Sequence, residues 1–364
     1  MRRSVALGLL FAAACAEPSA RAPRLERIGI APDGRGFRLE ESGRPFRPWG
    51  FNYDRDHDKR LLEDYWESEW SRVEEDFREM KALGANVVRV HLQFGRFMKG
   101  PAEPDGAALE RLGRLLGLAE ELGIYLDLTG LGNYRKSASP AWYDAASEKE
   151  RWALQARFWE AVAVRCAASP AVFCYNLMNE PVSPSGPGSE WLPGPGLAGF
   201  HYVEALSKDP AGRSRDEISR AWIATLLPAV RRHDPRRPVT AGMFFLFERP
   251  GALTLGTDPE KFGAALDFWS LHLYPKEGEV PRTLALIDSI PRGKPLLVEE
   301  YFPLNCSIDT LRALVREGRE RVAGWIGFYW GRTPREMAGS ADPVEALTAR
   351  WLEFFREEAR RERP

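Results

Sequence analysis

The chain has 364 residues, 44% of them hydrophobic and 28% charged, with a formal net charge of −1. That balance is ordinary for a globular protein with a real core, and it leaves no global basic field for nucleic acid. No apolar run beyond the first residues is long enough to span a bilayer, and length alone fits either two average domains or one large barrel.

The N-terminus has the pattern of an export leader, expected over residues 1–16. Arg2 and Arg3 give a positive start, and Val5 to Ala14 form an apolar stretch too short for a transmembrane helix. Two processing signals overlap there. Ala14-Cys15-Ala16 fits cleavage and soluble secretion, whereas Ala12-Ala13-Ala14-Cys15 resembles a bacterial lipobox, with a lipid on Cys15 as the sole membrane attachment. Either places the protein outside the cytoplasm, extracellular or periplasmic. A tether over residues 17–25 leads into one catalytic-sized unit over residues 26–360, with no internal repeat and no second domain boundary.

From residue 26 onward, turn signals and apolar runs alternate. Arg27–Ile30 and Gly36–Leu39 flank Pro32-Asp33-Gly34, the pattern of a β-hairpin, which is expected to plug one end of the fold. Phe46–Asn52 is the first long-sheet strand expected. Asn86–Leu92, Gly123–Thr129, Ala171–Met178, Pro238–Phe244, Leu266–Leu273, Pro295–Tyr301 and Gly324–Trp330 follow. Between them, Ser71–Leu83, Ala107–Leu122, Glu148–Ala167, Arg215–His233, Leu284–Ile290, Ile308–Arg316 and Val344–Arg360 carry helical periodicity. Eight strands alternating with helices imply βαβ units and a parallel sheet. No Gly-rich phosphate turn follows the first strand, which weighs against an open doubly wound sheet. The expectation is therefore α/β, a single (β/α)₈ barrel with a short N-terminal β-hairpin.

Of four cysteines, Cys166, Cys174 and Cys306 lie beyond the leader, an odd number for a disulfide framework. Buried free thiols fit better than a Cys166–Cys174 bridge. The connection from Val182 to Asp216 is unusually long and rich in Gly, Pro and Ser, and it carries Trp191, Phe200, His201 and Tyr202. After the fourth strand it falls on the face where barrel active sites are built. Those aromatics, with Trp142 and Tyr143, fit two uses, stacking on sugar faces or packing the loops themselves.

Two acidic positions stand out. Tyr175-Asn176-Leu177-Met178-Asn179-Glu180-Pro181 ends the fourth strand, and Leu296-Leu297-Val298-Glu299-Glu300-Tyr301 ends the seventh. Glu180 and Glu300 are 120 residues apart. Eight units over roughly 310 residues average about 39 each, so three units span about 117, the fourth-to-seventh distance. Three strands apart around a ring puts the two side chains across the mouth. Glycoside hydrolysis needs such a pair of carboxyls, one a proton donor and one a nucleophile or base.

The chain thus resembles clan A glycoside hydrolases, family 5 above all, over nearly its whole length after residue 25. The resemblance rests on Asn179-Glu180-Pro181 and on Glu299-Glu300-Tyr301, in register with further strand-end residues. It implies that Glu180 is the acid/base and that Glu300, directly before the aromatic, is the nucleophile. It also implies that Arg89 keeps Glu300 ionised, that Tyr274 of His272-Leu273-Tyr274 hydrogen-bonds it, and that Asn179 contacts the sugar 2-hydroxyl. Trp330 would lie under the sugar being cleaved, and Gly50 and Asn52 match a first-strand G-x-N. His91, two residues from Arg89, and Trp191 in the long connection complete the expected substrate-binding set. Strand alternation sends Glu299 and Glu300 to opposite faces, which leaves Glu299 as a supporting or helix-facing acid. Two departures blur the subfamily: Asp127-Leu128-Thr129 lacks the histidine of D-x-H, and Phe302-Pro303 stands where a glycine is common.

The activity expected is retaining hydrolysis of a β-linked oligo- or polysaccharide by a monomer that uses no cofactor. His57, His201 and His233 have no metal-ligand spacing, so no metal is expected. The rival classes are a non-catalytic polysaccharide-binding barrel, which should have lost a carboxylate, and a transglycosidase, which would use the same residues with a sugar acceptor.

Overall fold

The computed structural model describes residues 24–244 and 254–362. The leader expected over 1–16, Cys15, and most of the tether lie outside the described residues. No helix among the described residues is long and apolar enough to cross a membrane.

The chain opens with the hairpin, β1 (Ile28–Ile30) and β2 (Phe37–Leu39), paired antiparallel and joined by β3 (Pro45–Phe46). The barrel strands follow as β4 (Trp49–Tyr53), β5 (Val87–Gln93), β6 (Tyr125–Gly132) and β7 (Val172–Asn176). Next come β8 (Val239–Thr240), β9 (Gly242–Phe244), β10 (Trp269–Leu273), β11 (Leu296–Tyr301) and β12 (Gly324–Phe328). All pair in parallel. β8 and β9 are two halves of one strand position. β8 pairs with β7 and β9 with β10, so the sheet closes and the eight expected positions form a barrel.

Phe46 does not belong to the first barrel strand as expected; it pairs with Phe37 in the hairpin sheet. Pro48, which has no N–H to offer a ladder, separates the two. Its carbonyl accepts from Trp325 N at 3.0 Å. The sixth and eighth strands are also shorter than expected, beginning at Trp269 and ending at Phe328.

Helices pack outside the sheet, and their ends follow local chemistry. Asp105 caps the helix Gly106–Leu122 by accepting from the N–H of Ala107 and Ala108, and Gly123 closes it with φ 64°. Ser147 and Ser214 begin Glu148–Cys166 and Arg215–Arg231 with reciprocal capping boxes to Glu150 and Glu217. Cys166 and Cys174 are buried free thiols, and Cys306 is also unpaired.

The hairpin fills the lower end of the barrel. Phe37 meets Phe173 and Phe268 edge-on, at 4.9 and 5.2 Å between centroids. Ile28, Val87, Tyr125, Cys174, Leu297, Ala323 and Ile326 complete that cluster. The upper end, where the parallel strands finish, is lined by charged and polar side chains.

Candidate active site

Arg89 lies at the centre of that upper end, fully buried on β5. A buried guanidinium needs partners for its charge, and the strands around it supply them. Its nitrogens donate to Glu300 Oε1 at 2.7 Å, Asn52 Oδ1 at 2.8 Å and Asn179 Oδ1 at 2.9 Å, and lie 3.3 Å from Glu299 Oε2. Burial alone would lower its pKa, but the charges of Glu299 and Glu300 outweigh it and hold Arg89 ionised.

Glu299 and Glu300 do not point to opposite faces. Leu271 pairs with Val298, but His272 pairs with Glu300, so Glu299 is an extra residue in β11 opposite β10. This β-bulge turns both carboxylates into the barrel. Glu300 reaches the mouth, where Tyr274 Oη donates to its Oε2 at 2.6 Å. Glu299, entirely buried, accepts from Asn176 Nδ2 at 2.8 Å and from Ser270 Oγ. It is therefore a floor beneath the site and not a helix-facing acid.

Glu180 stands across the mouth in the short segment Glu180–Val182, which pairs in parallel with Val203–Ala205 of the long connection. Gly242 faces Asn179 here, and a Cβ at that position would run into the Asn179 carbonyl. Glu180 Oε1 lies 2.8 Å from His272 Nδ1, which is also 3.3 Å from Glu300 Oε2. Burial pushes the Glu180 carboxyl up; His272 opposes that and the charge on Glu300 adds to it. His272 itself is raised to about 9, because the carboxylates around it outweigh its desolvation. Glu299 is held down at about 2: burial would raise it, but Arg89 and then His272 prevail. Asp127, buried beside Glu299, is pushed well above the carboxylate range, first by burial and then by the Glu299 charge. Asp127 Oδ2 and Glu299 Oε1 have no other hydrogen-bond partner, so one proton on Asp127 satisfies both.

One oxygen each of Glu180 and Glu300, with a nitrogen of His272, lie within 4.8 Å of one another, the one set among the described residues close enough to hold a metal ion. Protonated His272 and Arg89 already supply positive charge to those oxygens. The two carboxyls thus approach one position at the barrel mouth, as a pair flanking a single glycosidic bond must.

The mouth opens into a cavity of about 1320 Å³ lined by Glu180, Glu300, His272, Tyr274 and Trp330. Trp330 packs against Phe328 and Phe302, with centroids at 5.4 and 5.0 Å. Two expected substrate contacts are elsewhere. His91 is 2% exposed behind Arg89, shares its ring nitrogens with Tyr134 and Asn52, and does not line the cavity. Burial and the charge of Arg89 keep it well below the usual imidazole range. Trp191 is 6% exposed and held by the Asp144 carbonyl at 3.1 Å, with Arg151 stacked 4.5 Å from its ring. It anchors the long connection, as does the buried pair Arg151–Glu204 at 2.7 Å. Tyr143 joins this anchor, donating to Glu204 at 3.1 Å, while Phe200 and Tyr202 do face the cavity. Sequence reasoning overlooked Asp54, which lines the cavity one residue beyond β4, and took Asp127, beneath it, only as the first residue of an incomplete D-x-H.

A parallel eight-stranded barrel with two carboxyls facing each other from its fourth and seventh strands, one ion-paired to arginine, defines the O-glycosyl hydrolases that work through paired carboxyls. The chain belongs to glycosyl hydrolase family 5, the cellulase family, whose profile matches residues 39–279. No curated protein matches it by sequence. The fold is similar to the exo-β-1,4-mannosidase Op5Man5 from Opitutaceae bacterium strain TAV5, at TM-score 0.64 and 17% identity over 92% of this chain. The chain spans 63% of that mannosidase's length. GH5_18 from Streptomyces cattleya, solved with GlcNAc, gives a TM-score of 0.62 at 16% identity, covering 87% of this chain and 81% of that one. A β-1,4-mannanase from the sea hare Aplysia kurodai gives 0.57 at 15% identity, covering 89% and 96%.

Proposed function

We propose that the protein is an exported retaining β-glycosidase that hydrolyses β-1,4-linked manno-oligosaccharides or the like by double displacement. The observation that carries this reading is the pair Glu180 and Glu300, with oxygens within 4.8 Å of each other, Glu300 held by Arg89 at 2.7 Å and Glu180 by His272 at 2.8 Å. Glu300, paired with Arg89 and Tyr274, attacks the anomeric carbon as a carboxylate. The bond to the leaving oxygen breaks as Glu180, whose protonated form burial favours, delivers its proton there. The covalent glycosyl–Glu300 ester is then opened by water. Glu180, now a carboxylate, takes the water's proton as the hydroxyl bonds to the anomeric carbon and Glu300 leaves. His272 holds Glu180 in place through the first step and stabilises its charge in the second. The mannosidase and mannanase neighbours support a manno-configured substrate.

Hydrolysis of a panel of aryl β-glycosides and β-linked polysaccharides by wild type, Glu180→Gln and Glu300→Gln tests the reading. Activity in wild type alone sustains it, and the panel names the sugar. Binding of a polysaccharide without any turnover would instead make the protein a binding barrel, and transfer products seen by mass spectrometry would make it a transglycosidase. Export rests on Arg2, Arg3 and the apolar run to Ala14. Labelling with a radioactive fatty acid, lost in Cys15→Ser, marks the lipid-anchored form, and equal label in both proteins rules that form out.

A further inference from the structure

We infer that Asp127 is a positioning residue of the reaction: as the hydrogen-bond donor to Glu299 it keeps that carboxylate turned to His272 and apart from Arg89, so that the arginine stays closest to Glu300. This rests on the glycosidase reading above.

Asp127 lies where the two layers of the barrel meet. In the strand register it is level with Arg89 of β5 on one side and with Cys174 of β7, a member of the lower apolar cluster, on the other. It is fully buried and within hydrogen-bond reach of Glu299 on β11. Thr129 Oγ1 donates to its Oδ1 at 3.4 Å. Asp127 Oδ2 and Glu299 Oε1 have no other donor, and Arg89 Nε, likewise without a partner, donates to neither. Two buried acceptors side by side repel unless one of them carries a proton. The balance of charge puts that proton on Asp127. Arg89 and His272 bring two positive charges, and Glu299 and Glu300 two negative ones. A third carboxylate would have no cation to pair with. Burial and then the charge of Glu299 favour the protonated form, against the charge of Arg89.

The bond fixes which way Glu299 faces. Its Oε1 is taken by Asp127. Its Oε2 accepts from Asn176 and Ser270, with His272 Nε2 at 3.4 Å and Arg89 Nη2 at 3.3 Å. The guanidinium is thus nearer to Glu300, at 2.7 Å, than to Glu299. Without the donor, Oε1 would be a bare buried oxygen beside Arg89, and would draw the guanidinium down from Glu300. The same shift would reach the acid/base, because His272, held by Glu299 at Nε2, presents Nδ1 to Glu180 at 2.8 Å. Asp127 touches neither Glu180 nor Glu300, so it acts only through Glu299.

The test compares two substitutions. Asp127→Asn keeps an amide donor for Glu299 and an acceptor for Thr129, and should hold kcat/KM within about threefold of wild type with the same pH profile. Asp127→Ala removes the donor. It is expected to lower kcat about 10- to 100-fold with KM nearly unchanged, and to move the acid limb of the kcat/KM profile up by about one pH unit. A merely structural role would lower the melting temperature of Asp127→Ala and leave kcat and the acid limb in place below the transition. That result overturns the inference, as does an Asn variant as slow as the Ala variant. Infrared spectroscopy decides the matter if Asp127→Ala does not fold. The difference spectrum between wild type and Asp127→Asn at neutral pH should contain the carbonyl band of a protonated carboxyl, and a carboxylate band in its place overturns the inference. Should wild type cleave no glycoside, the glycosidase reading falls, and the same infrared comparison judges the Asp127–Glu299 bond alone.

Discussion

At the lower end of the barrel, Phe37 from the hairpin stands edge-on to Phe173 and Phe268, and the space is closed by aliphatic side chains. At the upper end, residues of the same strands and their extensions turn Arg89, Asp127, His272, Glu299 and Glu300 into one buried layer. The lower end is held by area removed from water, which is indifferent to small changes of angle. The upper end is held by charges that each need a named partner, because burying them unpaired would cost several kcal/mol each. The contrast separates what keeps the barrel closed from what would do chemistry in it, and each half can be broken alone.

The largest effect expected is on turnover. Glu300→Gln should lower kcat by about 10⁴-fold or more while leaving the melting temperature within a few degrees. Glu180→Gln should cost about 10²–10⁴-fold on substrates with poor leaving groups, and much less in the first step when the leaving group is dinitrophenolate. Comparable loss for both leaving groups would remove Glu180 from the acid role.

Next comes the floor of the charged layer. Glu299→Ala leaves Arg89 and His272 short of a buried counter-charge and should cost about 3–5 kcal/mol in a denaturant titration. Glu299→Gln, which keeps the shape and some hydrogen bonds, should cost less. If Glu299→Gln were as dead as Glu300→Gln and Glu300→Gln stayed active, the bulge would be presenting the other carboxylate.

Phe37→Ala probes the opposite end. It should cost about 3–5 kcal/mol with kcat/KM unchanged below the melting transition. A fall in kcat/KM at that temperature would show that the two ends are not independent.

Smaller and graded is the pH response. His272 is raised from 6.5 to about 9 in the folded state, so its stabilisation is complete below pH 6.5 and is lost as pH rises through 9. Glu299 is lowered from 4.5 to about 2, so its contribution holds above pH 4.5 and is lost as pH falls towards 2. Melting temperature should therefore decline from about pH 6.5 to 9 in wild type, and more weakly in His272→Asn. Parallel declines in the two proteins would assign the slope to another group. Last, Trp191→Phe removes one hydrogen bond from a loop anchor and should cost only about 1 kcal/mol, with KM unaffected.

The alternation of apolar runs and amphipathic stretches made the eight strand positions, their helices and the hairpin legible, because burial on one or both faces leaves a periodic trace in the chain. Glu180 and Glu300 were legible from their place at strand ends and their spacing. Other residues were not. His91 and Trp191 have the residue types of a sugar site, yet one is shielded by Arg89 and the other by Arg151, contacts between segments far apart in sequence. Asp54 follows an ordinary strand and gains its place only when Tyr202 reaches it across the mouth.

Glu299 and Glu300 mark the limit most clearly. Local sequence determined that two acids end the seventh strand, and that a parallel barrel would bring them to the face opposite the hairpin. Alternation along an isolated strand would have put them on opposite sides. The pairing of His272 with Glu300, after Leu271 with Val298, inserts a bulge that turns both inward. That choice depends on a neighbouring strand and on a buried arginine able to receive two negative charges, and neither is encoded in the segment itself.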